Sequence, residues 1–213
     1  MLIIGAGGFA KELVEVVLEL FPDSIPVCFD NVNDPVNPFL EQFSVIRSIK
    51  EAQSHFKDVD PHFCLGLGGP LNRLRLFDEL SKIGGIPTSI ISKQSKIGKL
   101  DVKIGEGATI LHHTTIANGS LLGKGCLLYH DVRITHDCKI GDFTEIAPGA
   151  TLLGGVSIGK LTQIGANCTI LPKVKIGEGC ILGAGSVITI DIPDYSVVIG
   201  IPGKVVRKTI GNL

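Results

Sequence analysis

The sequence predicts a short α/β domain followed by a parallel β-helix, and three observations carry that prediction. Stepping in sixes from Ile104 to Ile188, all fifteen positions are Ile or Leu. Two places before each of them stands a small or β-branched residue, from Val102 to Ser186. Ahead of the repeat, Gly5-Ala6-Gly7-Gly8 separates an apolar run from a helical one.

The elements follow in chain order. Met1–Ile4 reads as a buried strand, Gly5–Ala10 as a tight turn, and the residues through Leu20 as a helix. Gly5, Gly7 and Ala10 satisfy a G-x-G-x-x-[GA] spacing, with Gly8 and Phe9 inside it. Such a turn lets backbone N–H groups and a helix N-terminus approach a phosphate. Asp30 ends the next apolar run, Pro26–Phe29, where a ribose-binding acid would stand, and Asn31 follows it. A third strand, His62–Gly66, leads through Gly68-Gly69-Pro70 to a helix from Leu71 to Ile83. Only about three β/α units fit before the hexads, so residues 1–88 read as a half-Rossmann domain, suited to one nucleotide rather than to NAD. In isolation the glycines make a tight corner. Paired with the domain that follows, they read as a nucleotide or nucleotide-sugar site. Phe9, Asp30, Asn31 and the Gly68–Arg73 loop are expected to choose the ligand.

Residues 89–190 carry the hexads. No helix has a period of six, and a plain strand alternates in twos. One large aliphatic, one small inward residue and a small corner residue per hexad suit a triangular coil of three short strands. Successive coils then stack about 4.8 Å apart, with residues eighteen apart in sequence lying one above the other. Fifteen hexads make five coils, and Ser89–Gly98 is expected to add an imperfect one before a register break near Leu100. Cys126, Cys138, Cys168 and Cys180 occupy the small inward position, where a free thiol packs as a small hydrophobe. Cys28 and Cys64 sit in apolar strands, and no CxxC pair occurs. Residues 191–213 form a short C-terminal cap, whose Lys204, Arg207 and Lys208 read as a solvated helix face.

Composition narrows the function. The 213 residues are 44% hydrophobic and 19% charged, which is globular, and the formal net charge is −1. Nucleic acid and anionic membrane are therefore poor partners. Glycine accounts for 27 residues while aromatics make up only 5%, so the core must be aliphatic and the corners many. No apolar stretch reaches membrane-spanning length, and the N-terminus has no signal-peptide pattern, which points to the cytoplasm.

The [LIV]-[GA]-x-x-[STAV]-x pattern resembles that of hexapeptide-repeat acyltransferases, and that resemblance implies a left-handed coil. The pairing of a short Gly-rich α/β domain, a hexapeptide β-helix and a Gly-x-Pro-x-Lys tail is similar to bacterial sugar acetyltransferases. These include the sialic acid O-acetyltransferase (NeuD) family and the nucleotide-sugar N-acetyltransferases. Gly5-Ala-Gly-Gly-Phe9, Thr135-His-Asp-Cys138, Ile146-Ala-Pro-Gly149 and Ile199-Gly-Ile-Pro202 carry the likeness. It implies acetyl-CoA as co-substrate, no metal, and a homotrimer with active sites between subunits. Phe9 stands where many members carry a His.

Acetyl transfer to an amine or hydroxyl requires a base for the nucleophile's proton, and His is the usual one because it titrates near neutrality. His112, His113, His130 and His136 are the candidates in the repeat, with Asp137 beside the last. Stacking by eighteen puts Asn118 and Gly154 on either side of His136, and Gly119 and Gly155 on either side of Asp137, leaving room for substrate. His130 lies in a more crowded column, between His112 and Pro148. The spacing thus favours His136, and the resemblance implies the same: the His of this pair is the base and Asp137 its partner. It also implies acetyl-CoA contacts at Gly154, Ala166, Ala184 and Lys204, although small residues at 166 and 184 suit corner packing equally. Tyr129 and Glu145 replace an Asn and a second His of some members and are expected to face the acceptor. The expected reaction is N-acetylation of a nucleotide-linked amino-deoxysugar, with O-acetylation of a sialic acid or other sugar as the nearest alternative. A gamma-type carbonic anhydrase and a non-catalytic nucleotide-sugar scaffold are the rivals from other classes.

Overall fold

A computed structural model describes residues 1–32 and 43–209. The N-terminal domain is a parallel sheet of β1 (Leu2–Ile4), β2 (Val27–Phe29), β3 (Val45–Ile46), β4 (His62–Leu65) and β5 (Ile86–Pro87), in the order β3-β2-β1-β4-β5. Helices α1 (Gly8–Leu20), α2 (Ile49–Asp58) and α3 (Pro70–Lys82) pack on it. Leu2, Ile3 and Ile4 are fully buried, as expected for a central strand covered on both faces.

Five strands stand where three units were expected. The two additions, β3 and β5, are edge strands of two residues each, too short to show as apolar runs. Helix α2 was also unexpected, because its mean hydropathy is low and it buries only Ala52 and Phe56. A signal for it was present: Ser48 and Glu51 form a reciprocal capping box.

The β-helix begins at Ile90–Ile91 and stacks three parallel faces of eight, six and five strands, the longest extended by the C-terminal residues. Its coil is left-handed. Most pairings advance by eighteen residues, as in Ile116↔Ile134 and Ile134↔Leu152. The first coil advances by nineteen, as in Ile97↔Ile116, and the extra residue is taken up around Leu100, which is 66% exposed. The expected register break is real.

Two features of the coil lay outside the expected pattern. Every sixth residue from Asp101 to Gly185 has positive φ, and eight of these fifteen corners are not glycine. The conformational demand thus falls three residues after each aliphatic, and non-glycine residues there accept a cost of about 1–2 kcal/mol each. Second, the small inward residues hydrogen-bond across the corner. The hydroxyls of Thr114, Ser120, Thr144 and Thr162 donate to the carbonyls of Tyr129, Thr135, Gly159 and Gly177 at 2.9–3.1 Å. The Cys126 thiol does the same to Gly141 at 3.3 Å. A buried hydroxyl that is satisfied in this way costs little, which is why the position tolerates Ser, Thr, Cys and Val alike.

The tail corrects an expectation. Lys204, Arg207 and Lys208 lie on a strand, not a helix face. Ser196–Ile199 continues the eight-stranded face in parallel from Ile181–Leu182, and Lys204–Lys208 returns antiparallel to it. This hairpin closes the end of the coil.

The two domains share a packed seam. Phe77 of α3 meets Phe143, a left-handed corner residue that is 2% exposed, edge-on at 5.3 Å. Along α1, Glu12 stands 3.4 Å from His130 and Glu19 3.9 Å from His112.

Candidate active site

The strand order places a cleft. Strand β1 lies between β2 and β4, so the chain's progress across the sheet reverses there, and ligands of open α/β sheets bind outside the carboxyl ends of the strands at such a point. A cavity of about 410 Å³ opens at that edge, lined by Gly5, Gly7, Gly8 and Phe9 after β1. Asp30 and Asn31 after β2, Gly66 and Gly68 after β4, and Asn72 and Arg75 of α3 complete it. All six residues expected to bind the nucleotide sugar in this domain therefore come together.

Its local geometry explains the glycines. Gly5 has φ +115°, and a Cβ there would stand 2.7 Å from the Gly66 carbonyl oxygen, so the two loops can meet only without a side chain. Gly7 and Gly8 have open space where a Cβ would be. Gly7 caps α1 with no side-chain hydrogen bond, leaving the helix N-terminal N–H groups turned toward the cleft. Asp30 is buried and accepts a hydrogen bond from the Val32 amide at 3.0 Å.

The Gly68–Arg73 segment meets its expected role in part: Gly68 and Asn72 line the cleft, but Arg73 does not. From Pro70 it is helix, and Arg73 is fully buried beneath the cleft rather than in it. Its guanidinium donates to the carbonyls of Leu65, Leu67, Gly125 and Cys126 and to the Thr109 hydroxyl, at 2.9–3.4 Å. Burial lowers its pKa to about 10, with Glu145 opposing the fall. Sequence reading missed this clamp, because nothing in a helical Asn-Arg-Leu run distinguishes a buried Arg from an exposed one.

His136 and Asp137 lie on an edge of the β-helix. Neighbouring side chains of a strand point to opposite faces, so a contact between them requires a corner. Asp137 supplies it with φ +61°, and its Oδ2 sits 2.8 Å from His136 Nδ1. A carboxylate only accepts, so this contact calls for the ring proton on Nδ1 and leaves Nε2 as the nitrogen able to take a proton. Both side chains are 70% exposed.

The glycines flanking the pair do not leave room for a substrate, as the stacking argument held. At Gly154 and Gly119 that space is filled by the pair itself, and Lys173 stands beside Gly155. A Cβ on Gly154 would stand 2.5 Å from His136 Cε1 and Nε2, and one on Gly119 would overlap Asp137 Oδ1. The glycines let the imidazole and carboxylate lie flat along the edge. Gly154→Ala is therefore expected to tilt the ring and lower turnover about 10²-fold with little change in melting temperature, measured by steady-state kinetics and calorimetry.

Of the competing histidines, His113 is an exposed corner residue with φ +61°, and the other two are engaged elsewhere. His112 Nδ1 is 2.6 Å from Ser92 Oγ, and the His112 and His130 rings stack at 5.4 Å in the domain seam. Ala166 and Ala184 fall in the same corner column as His130, one edge away from His136, and Lys204 is exposed on the terminal hairpin. Within one chain the structure does not unite them with His136. Tyr129 and Glu145 stand on the face next to the cleft. Tyr129 packs on Phe9 with ring centroids 5.0 Å apart, and desolvation followed by the charges of Glu145 and Glu12 raises its hydroxyl to about 12. Glu145 Oε2 accepts a hydrogen bond from the Gly69 amide at 2.7 Å. Among the described residues no group of three His, Cys, Asp or Glu is arranged to hold a metal ion, and no helix is long and apolar enough to cross a membrane.

Comparison with known proteins agrees with this architecture. Residues 1–80 match the PglD N-terminal domain family, and residues 155–189 the bacterial transferase hexapeptide (six repeats) family. No curated protein sequence matches the chain. Among solved structures, PerB from Caulobacter crescentus, determined in complex with CoA and GDP-perosamine, is 25% identical with a TM-score of 0.87, covering 97% of this chain and 96% of its own. The acetyltransferase domain of PglB from Neisseria gonorrhoeae FA1090, in complex with acetyl coenzyme A, is 27% identical with a TM-score of 0.84, covering 96% and 98%. WeeI from Acinetobacter baumannii AYE is 26% identical with a TM-score of 0.87, covering 96% and 98%.

Proposed function

We propose that this chain, a two-domain member of the hexapeptide-repeat superfamily, transfers an acetyl group from acetyl-CoA to the amino group of a nucleotide-linked deoxysugar. The observation that carries the reading is the pairing, in one chain, of a cleft at the sheet's switch point with a His–Asp pair whose Nε2 is free. The similar structures hold the matching ligands: CoA and GDP-perosamine in one, acetyl coenzyme A in another.

The division of labour follows the domains. Residues 1–88 hold the nucleotide sugar, with the diphosphate at the Gly5–Gly8 turn and Phe9, Asp30 and Asn31 around the rest. Residues 89–190 hold acetyl-CoA and the base, and the hairpin of Ser196–Ile199 and Lys204–Lys208 closes the coil. As the acceptor nitrogen bonds to the thioester carbon, the C–S bond breaks and the nitrogen must lose a proton. His136 Nε2 takes that proton and returns it to the departing sulfur. Asp137 holds the ring in the required tautomer and stabilises its protonated form.

A single chain leaves His136 open to water and one edge away from Ala166 and Ala184. A threefold assembly supplies what is missing. The His136 edge of one copy meets the Ala166–Ala184 edge of the next, so the acetyl-CoA groove, with Gly154 and Lys204, runs between copies. Closed symmetry of this kind buries edges that one prism cannot cover itself.

A thermal-shift screen of the intact protein against acetyl-CoA, UDP- and GDP-amino sugars, sialic acid and zinc tests the reading. A ligand at a hundred times its Kd adds about 2.7 kcal/mol of stability. Acetyl-CoA together with a nucleotide amino sugar is expected to raise the melting temperature. Sialic acid in place of the nucleotide sugar would move the reaction to O-acetylation, and zinc alone would sink the transferase reading.

A further inference from the structure

We propose that Glu145 is a positioning residue: a carboxylate extended from the β-helix that holds one wall of the nucleotide cleft in place. The inference rests on the acetyl-transfer reading for the cleft's ligand, but its geometry stands independently. Glu145 lies on the β-helix face between Leu127 and Gln163. Its Oε2 accepts from the Gly69 amide, 76 residues away in sequence and in the other domain.

Gly69 is the N-cap of α3, has φ +84°, and offers no side chain of its own to cap the helix. Glu145 takes the part that an N3 acid plays in a capping box, accepting from the N-cap amide, with a negative charge at the positive end of the helix dipole. The same carboxylate lies against the residue before it: a Cβ on Gly68 would stand 3.3 Å from Glu145 Oε1 and 3.5 Å from the Tyr129 hydroxyl. Gly66 and Gly68 line the cleft, and the Gly66 carbonyl touches the Gly5 turn. The wall that Glu145 secures is therefore the one that sets the spacing of the glycine turn opposite. Arg73 fixes that wall from below through Leu65 and Leu67, and its charge faces Glu145. A His at this position carries no negative charge for the helix end.

This role predicts a selective effect. The intact chain and its Glu145→Gln and Glu145→Ala variants are titrated calorimetrically with UDP, GDP and acetyl-CoA. Amide hydrogen exchange is followed across residues 66–72. Glu145→Ala is expected to weaken the better-binding nucleoside diphosphate about tenfold and to speed exchange at Gly68 and Gly69 by a similar factor. Glu145→Gln, which keeps an acceptor for the Gly69 amide but loses the charge, should recover part of both. Acetyl-CoA affinity should not move. Unchanged exchange at Gly68 and Gly69 would overturn the proposal. So would equal weakening of acetyl-CoA and nucleoside diphosphate with a lowered melting temperature, which would mark a general structural role. If the wild-type chain bound none of the three ligands, the acetyl-transfer reading would fall, and the exchange rates would still decide whether Glu145 holds the wall.

Discussion

Replacing His136 with Ala is expected to lower the acetyl-transfer rate by roughly 10²- to 10⁴-fold while acetyl-CoA and nucleotide-sugar binding survive. The magnitude follows from what the side chain does. In the proposed role its Nε2 takes the acceptor's proton, while its Nδ1 is committed to Asp137 at 2.8 Å. Stability should hardly change, because the imidazole is 70% exposed and buries little apolar area. Asp137→Asn is the companion measurement. An amide can donate to Nδ1 as readily as accept from it, so the ring can settle with its proton on Nε2, the wrong nitrogen for a base. Turnover should fall again with binding intact. Steady-state rates at saturating acetyl-CoA, beside calorimetric binding of each substrate, check both. A His136→Ala variant that turned over at the wild-type rate would remove this residue from the chemistry.

The second large effect concerns folding. Arg73→Met is expected to destabilise the protein by about 3–5 kcal/mol, read from the denaturant midpoint at pH 7. Two terms compete. The depressed pKa of Arg73, about 10, shows that burying the cation is itself costly, and Met removes that cost. Met also strips the donor from the Gly125 and Leu67 carbonyls, at about 1–3 kcal/mol for each orphaned group, while the Cys126 carbonyl keeps the Thr109 amide and the Leu65 carbonyl keeps the Thr109 hydroxyl. The orphaned groups outnumber the single charge relieved, so destabilisation wins. Arg73→Lys should fall between the two, since an ammonium has three donors and no planar fork. A loss below about 1 kcal/mol for Arg73→Met would mean that water enters the seam and satisfies the carbonyls.

The β-helix was legible residue by residue because its constraint is local and repeats. Each inward Ile or Leu answers to the same triangular section, so one period exposes fifteen positions at once, and the Leu100 break shows as a lapse in that period. The cleft was legible for a related reason. A turn that must let backbone approach backbone admits little but glycine, as Gly5 against Gly66 demonstrates. Stacking residues eighteen apart singled out His136 and Asp137 as candidates, although Gly154 and Gly119 prove to house the pair itself.

What the sequence could not disclose is whatever depends on contacts between segments far apart in the chain. Strands β3 and β5 are too short to carry a pattern, and only pairing with β2 and β4 makes them strands. Arg73 and Glu145 look like ordinary helix and strand-face charges. One becomes a buried clamp and the other a cap for Gly69 because the α/β domain docks on one particular face of the coil. Periodicity along the chain determined the scaffold and placed His136 and Asp137 on one of its corners. The docking of the two domains, which no local pattern encodes, decided which charges are bonded across the domain seam, as Arg73 and Glu145 are, and which stay exposed, as His136 and Asp137 do.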